Sequence, residues 1–143
     1  MKLTVSQINS IFRSLSELDG YDLVLDKDTK PRVIRQQYIF TGKTRWNLVK
    51  NLSILKSHVE DAEKARVALV KQISGGKESI DRENQTQAEE FFKELSSVLN
   101  STVEVKGLLK FKIEELLSPK EGVENQIPAS TILGIEVLLE ETK

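Results

Sequence analysis

Between Trp46 and Ile73 the apolar residues Leu48, Leu52, Leu55, Val59, Ala62, Leu69 and Ile73 recur at gaps of four and three, interrupted once at Arg66. That spacing predicts one long amphipathic helix. Its outer face carries Glu60 and Lys64 four apart, a pairing that supports a helix. Thr41-Gly42 opens it and Ser74-Gly75-Gly76 closes it. Upstream, Thr4 followed by Gln7 has the form of a capping box, with Leu3 and Ile8 at the staple positions. Ile8, Ile11, Phe12, Leu15 and Leu18 make the buried stripe of a first helix, and Gly20 is read as its left-handed stop.

The remaining segments carry weaker patterns. Tyr21, Leu23 and Leu25 alternate with polar or small partners like a short strand, and Asp26 to Pro31 reads as a turn. Val33 to Phe40 fits either a strand paired with the first or a helix. Beyond a polar connector, Thr86 and Glu89 suggest a second capping box, and Ala88, Phe91, Phe92, Leu95 and Leu99 supply the apolar face of a helix that doubles back along the long one. Val103, Val105, Leu109, Phe111 and Ile113 share parity, which predicts strand, with Gly107 as a bend. Pro128 pre-sets a final helix with Ile132, Ile135, Leu138 and Leu139 inward. The expected fold is α+β, mainly α: a long central helix packed by shorter helices with a small antiparallel sheet, in a single domain over 1–143.

Composition adds limits. A chain of 143 residues can build one core without staples, and the absence of cysteine excludes disulfides and thiolate metal sites. The N-terminus lacks a signal-peptide pattern and no apolar run reaches the length of a membrane span, so a soluble, cytoplasmic protein is expected. Charge is segregated. Eight Lys or Arg stand between Lys27 and Lys56 against Asp28 alone, whereas from Ile113 onward seven Glu oppose Lys120 and Lys143. Either these segments neutralise each other, or they form two interaction faces of opposite sign.

Several stretches resemble a recurrent, functionally unannotated kind of small protein encoded by tailed bacteriophages and prophages. They are Thr41-Gly42-Lys43-Thr44-Arg45-Trp46-Asn47-Leu48-Val49-Lys50-Asn51, Glu63-Lys64-Ala65-Arg66 with Leu69-Val70 behind it, the passage from Phe91 to Val105, and Ile127-Pro128. These pieces cover most of the chain after Thr41, while residues 21 to 37 contribute nothing. The resemblance implies a viral or prophage origin and a small virion-assembly or host-directed role, with no functional residues to carry over.

No catalytic constellation and no cofactor site emerges. Gly42-Lys43-Thr44 sits where a phosphate-binding loop would, but the glycine needed five residues earlier is Gln37, leaving a glycine turn that feeds a helix. Asp26-Lys27-Asp28 begins like a calcium loop, yet its sixth and twelfth positions are Pro31 and Gln37. His58 is the single histidine and reads as a solvated surface residue. The best functional candidate is the basic stretch, where Tyr38, Phe40 and Trp46 interleave with Arg32, Arg35, Lys43, Arg45 and Lys50. Charge there suits phosphates and rings suit stacking, so nucleic-acid binding is the rival to a protein partner, whether phage or host. Trp46 either seals the edge of the core, the reading favoured by the scarcity of large rings, or anchors a partner. Arg66 and Ala62 on the stripe disfavour a strong homodimer through the long helix.

Overall fold

The capping box at the chain start forms as the sequence announces. Gln7 N–H donates to Thr4 Oγ1 at 3.1 Å, and Thr4 N–H donates to Gln7 Oε1 at 2.8 Å. Two amides without helical partners are thereby satisfied, and α1 (Val5–Asp19) begins. The staple residues Leu3 and Ile8 are both buried, as are Ile11, Leu15 and Leu18. The computed structural model describes the backbone of residues 1–25 and 32–141, and the side chains of 1–22 and 34–141. The fold is mainly helical, with a long central helix packed by shorter helices and two small two-stranded antiparallel sheets in place of the single sheet expected.

One sheet pairs β1 (Lys2–Thr4) with β4 (Thr102–Glu104), placing Leu3 opposite Val103. The N-terminal ammonium extends that pairing with an ion pair to Glu104 at 2.8 Å. The other is a hairpin of β2 (Tyr21–Leu25) and β3 (Arg32–Gln36), with Leu23 opposite Ile34. It settles the ambiguity after Val33 in favour of strand. The turn read at Asp26 to Pro31 lies outside the described residues. Gly20, between α1 and β2, is not in the left-handed region. A Cβ there would stand 2.8 Å from Nε at the far end of the Arg35 side chain, which would have to shift to admit it.

Helix α2 (Gly42–Ser74) runs 33 residues, one turn longer at its start than the apolar pattern shows. Thr41 supplies that turn, its Oγ1 accepting from Thr44 N–H at 3.3 Å and its carbonyl from Arg45 N–H at 2.9 Å. At the other end Gly75 and Gly76 adopt φ of 74° and 99°, and Gly76 N–H reaches back to the Lys71 carbonyl at 2.7 Å. This is a Schellman stop, which only glycine enters without steric cost. On the outer face Glu60 faces Lys56 at 4.0 Å rather than Lys64, and Glu63 pairs with Arg66.

Helix α3 (Gln85–Leu99) has its cap two residues before the expected Thr86. Asn84 is the cap, with its Oδ1 accepting from Gln87 N–H at 3.2 Å. Asn84-x-x-Gln87 and Thr86-x-x-Glu89 both have capping-box form; the earlier one prevails because Asn caps at least as well as Thr and yields a longer helix. Ala88, Phe91 and Phe92 of α3 share a groove with Arg66 and Val70, so α3 does return along the end of α2. The strand expected through Ile113 shrinks to β4. Gly107, at φ 85°, turns the chain away, and Ile113 opens a short helix, α4 (Ile113–Leu117). Phe111 meets Leu139 in a single parallel bridge. After Pro128, α5 spans only Ala129–Gly134, followed by a 3-10 turn at Glu136–Leu138 that buries Ile135 and Leu138 as expected.

The chain forms two compact units, Met1–Asn9 with Leu55–Lys106, and Ser10–Ile54 with Gly107–Lys143. The first buries Leu3, Ile8, Leu55, Val70 and Val105. The second buries Ile11, Leu15, Leu18, Leu48, Phe111, Leu116, Ile135 and Leu138, where α1 and α5 approach so closely that a Cβ on Gly134 would collide with Ser14. Each large apolar side chain withdrawn from water contributes about 1.5–3 kcal/mol, so both units have a real hydrophobic core. Among the described residues, no helix is long and apolar enough to cross a membrane.

Candidate functional site

Helical geometry sorts the basic stretch into two sets. In the first four turns of α2 the inward positions are Thr44, Leu48, Asn51 and Leu55, all at most 1% exposed. Two of these are polar and satisfied internally. Thr44 Oγ1 lies 3.2 Å from Thr41 Oγ1 and 3.5 Å from Glu115 Oε2, while the Asn51 carboxamide both donates to and accepts from the Leu109 backbone at 2.8 Å. The opposite side exposes Lys43, Trp46, Val49, Lys50 and Ser53.

Trp46 is 61% exposed, which overturns its placement at the edge of the core. The reason is the angle of Trp46 on the helix, which outweighs the scarcity of large rings. A stripe drawn through Leu48, Leu52 and Leu55 already leaves Trp46 about 150° from its centre, and counting the inward Thr44 and Asn51 brings the angle to roughly 180°. At about 100° per residue Trp46 then stands roughly opposite the core. Lys50 Nζ sits 5.8 Å from the centre of the indole ring, within cation–π range. Val49, half exposed at 50%, widens the apolar contact. The outward position of Trp46 could have been found from the sequence by measuring its angle from the apolar stripe.

The arginines behave differently. Arg35 stands opposite Asp22 in the hairpin, and its Nη1 lies 3.3 Å from Asp22 Oδ1. Arg45 donates through Nη2 to the Tyr38 carbonyl at 2.8 Å, lies 3.7 Å from Asp19 Oδ1, and stacks 5.0 Å over the Phe40 ring. The expected stacking rings are likewise engaged with each other: Tyr21 and Tyr38 are 4.9 Å apart, Tyr38 and Phe40 6.1 Å. Burial, reinforced by Tyr21 and Glu17, raises the Tyr38 phenol above its ordinary range. Arg32 opens β3, and its side chain lies outside the described residues.

Of the six candidates, Lys43, Trp46 and Lys50 therefore form one exposed helical face, and Arg35 and Arg45 are tied to Asp22 and Asp19. Such a face offers a large flat ring, a branched aliphatic and two cations on a rigid element. It presents no nucleophile with an adjacent base. His58 lies further along α2, half-buried rather than fully solvated, and the calcium-like run at Asp26 is outside the described residues. Compared with protein families, curated proteins and solved structures, the chain matches none of them.

Proposed function

We propose that this chain is a non-enzymatic phage or prophage protein that acts through protein–protein contacts, as a virion-assembly accessory or a host-directed factor, and that it docks by the Lys43–Trp46–Val49–Lys50 face. The observation that carries the reading is Trp46, an indole 61% exposed on a regular helix. Tryptophan is strongly enriched among the few residues that dominate binding energy, and here its rotation is limited by a helix already fixed at its inner side. The fitting partner presents an apolar pocket for the ring, rimmed by carboxylates for Lys43 and Lys50. The phage or prophage origin rests on the resemblance of the segments after Thr41.

The rival is a nucleic-acid module built on the stretch 27–56. Internal pairing of Arg35 and Arg45 reduces the cations available for phosphates and weighs toward a protein partner. Fluorescence tests the premise first: emission should be that of a water-exposed, readily quenched tryptophan, and Trp46→Ala should leave stability within about 1 kcal/mol. The same variant should lose a partner that wild-type protein retains from infected cells. A blue-shifted emission, or a partner held equally by Trp46→Ala, overturns the proposal. Binding to generic DNA that falls steeply with salt and vanishes in the double variant Lys43→Glu, Lys50→Glu would transfer the face to the rival.

A further inference from the structure

We infer that the groove between the end of α2 and α3 is a binding site for a small amphiphilic carboxylate, of the size of a medium-chain fatty acid. Helix α3 carries an apolar stripe, yet none of its residues is fully buried. Phe91 and Phe92 open like a V, their ring centres 5.9 Å apart at 60°, and Phe92 is 65% exposed. With Val70 and Ile80 they wall a groove of about 320 Å3, at the small end of the range for small-molecule sites.

Free guanidinium N–H groups at the rim select the ligand's head, since Glu63 neutralises Arg66 and Glu78 offsets Arg82 in net charge. Arg66 and Arg82 line the groove against the single carboxylate Glu78. Arg66 is held by Glu63, which accepts from Nε at 2.9 Å and from Nη2 at 2.6 Å, leaving Nη1 to donate elsewhere. That hydrogen bond also keeps the Glu63 carboxyl below its usual range, so the guanidinium is anchored by a partner that stays ionised. Arg82 has no ion pair among the described residues. A carboxylate over an aromatic and aliphatic floor satisfies both features, through charge-assisted hydrogen bonds at the rim.

The walls favour a small molecule over a peptide. An extended peptide needs free backbone donors and acceptors, whereas two walls here are helices whose backbone groups bond within themselves. A docking helix needs anchors over several turns, more than one groove of this volume holds. The third wall is already set: Glu83 N–H donates to Asp81 Oδ1 at 3.0 Å and Asp81 N–H to Gln87 Oε1 at 3.4 Å, pinning the connector beside Arg82.

The test titrates decanoate, below its micelle concentration, into the isotopically labelled full chain and follows amide shifts by NMR, with decanol and decyltrimethylammonium as neutral and cationic controls. Saturable shifts confined to residues 66–70, 78–82 and 88–92 are expected. Arg82→Glu should weaken decanoate by about tenfold or more and leave decanol unchanged, and the exposed Phe92→Ser should weaken both without altering the fold. Cationic ligand binding as tightly as decanoate, shifts spread over the whole chain, or no shift at all would overturn the inference. So would a dimer in sedimentation that Phe92→Ser dissociates, since a second copy would then occupy the groove.

Discussion

Asn51 decides more about this chain than any apolar residue beside it. Fully buried, its carboxamide holds both the N–H and the carbonyl of Leu109, 58 residues away. Asn125 works in the same way, donating to the Ile39 and Leu116 carbonyls at 2.8 Å and accepting from Ile39 N–H at 3.0 Å. Each amide fastens a segment that has no regular secondary structure and therefore no ladder of its own. Asn51→Ala removes one clamp and leaves two part-buried backbone groups without partners, so a loss of about 1–3 kcal/mol in unfolding free energy is expected, measured by urea denaturation. A loss below about 1 kcal/mol would mean that water or a shifted backbone replaces the amide. Sequence reading failed at this point for a physical reason. Periodicity assigns polar residues outward, and an inward amide is recognisable only once its distant partner is known. Trp46 is a different case, since its angle of about 150° from the Leu48, Leu52 and Leu55 stripe was already legible in the sequence.

Elements were readable to the degree that their signals are local. Both ends of α2 and the cap of α1 depend on residues within five positions of each other, and these formed where Thr4, Thr41 and Gly75-Gly76 placed them. The α3 cap was displaced because two overlapping boxes compete, and a comparison of substitutions separates them. Asn84→Ala should cost about 1 kcal/mol in urea midpoint-derived stability, and Thr86→Ala, now inside the first turn, no more than about 0.5 kcal/mol. The reverse order would assign the cap to Thr86. Alternation misled between Val103 and Ile113, since shared parity states only that one side is apolar. A strand also needs a neighbour, and beyond Glu104 the neighbour β1 has ended. The same chain instead turns at Gly107, is clamped at Leu109, and bridges once at Phe111.

For the whole molecule, the charge segregation and the long stripe both raise the question of association. Among the described residues, the arginines of the basic stretch pair with Asp19 and Asp22, and none pairs with the acidic residues after Ile113. Glu114, Glu121, Glu124, Glu136 and Glu140 stay exposed, so the two signs of charge remain open to partners. The stripe on α2 has gaps suited to a coiled coil, yet Leu48 and Leu55 are buried by their own chain, and Arg66, which would sit in the seam, is exposed and bound to Glu63. Leu55 is 0% exposed in a single chain. Leu55→Asp therefore removes a side chain whose truncation alone costs about 2–5 kcal/mol and adds a carboxylate with no room for water. Against a typical domain stability of about 5–15 kcal/mol, the expected outcome is loss of the folded state at every protein concentration, seen as collapse of the helical circular dichroism signal. Val49→Asp, on the exposed face of the same helix, should stay folded and serves as the control. A folded Leu55→Asp protein, monomeric where the parent chain associates, would place Leu55 in an interface between copies and return the long helix to the coiled-coil reading.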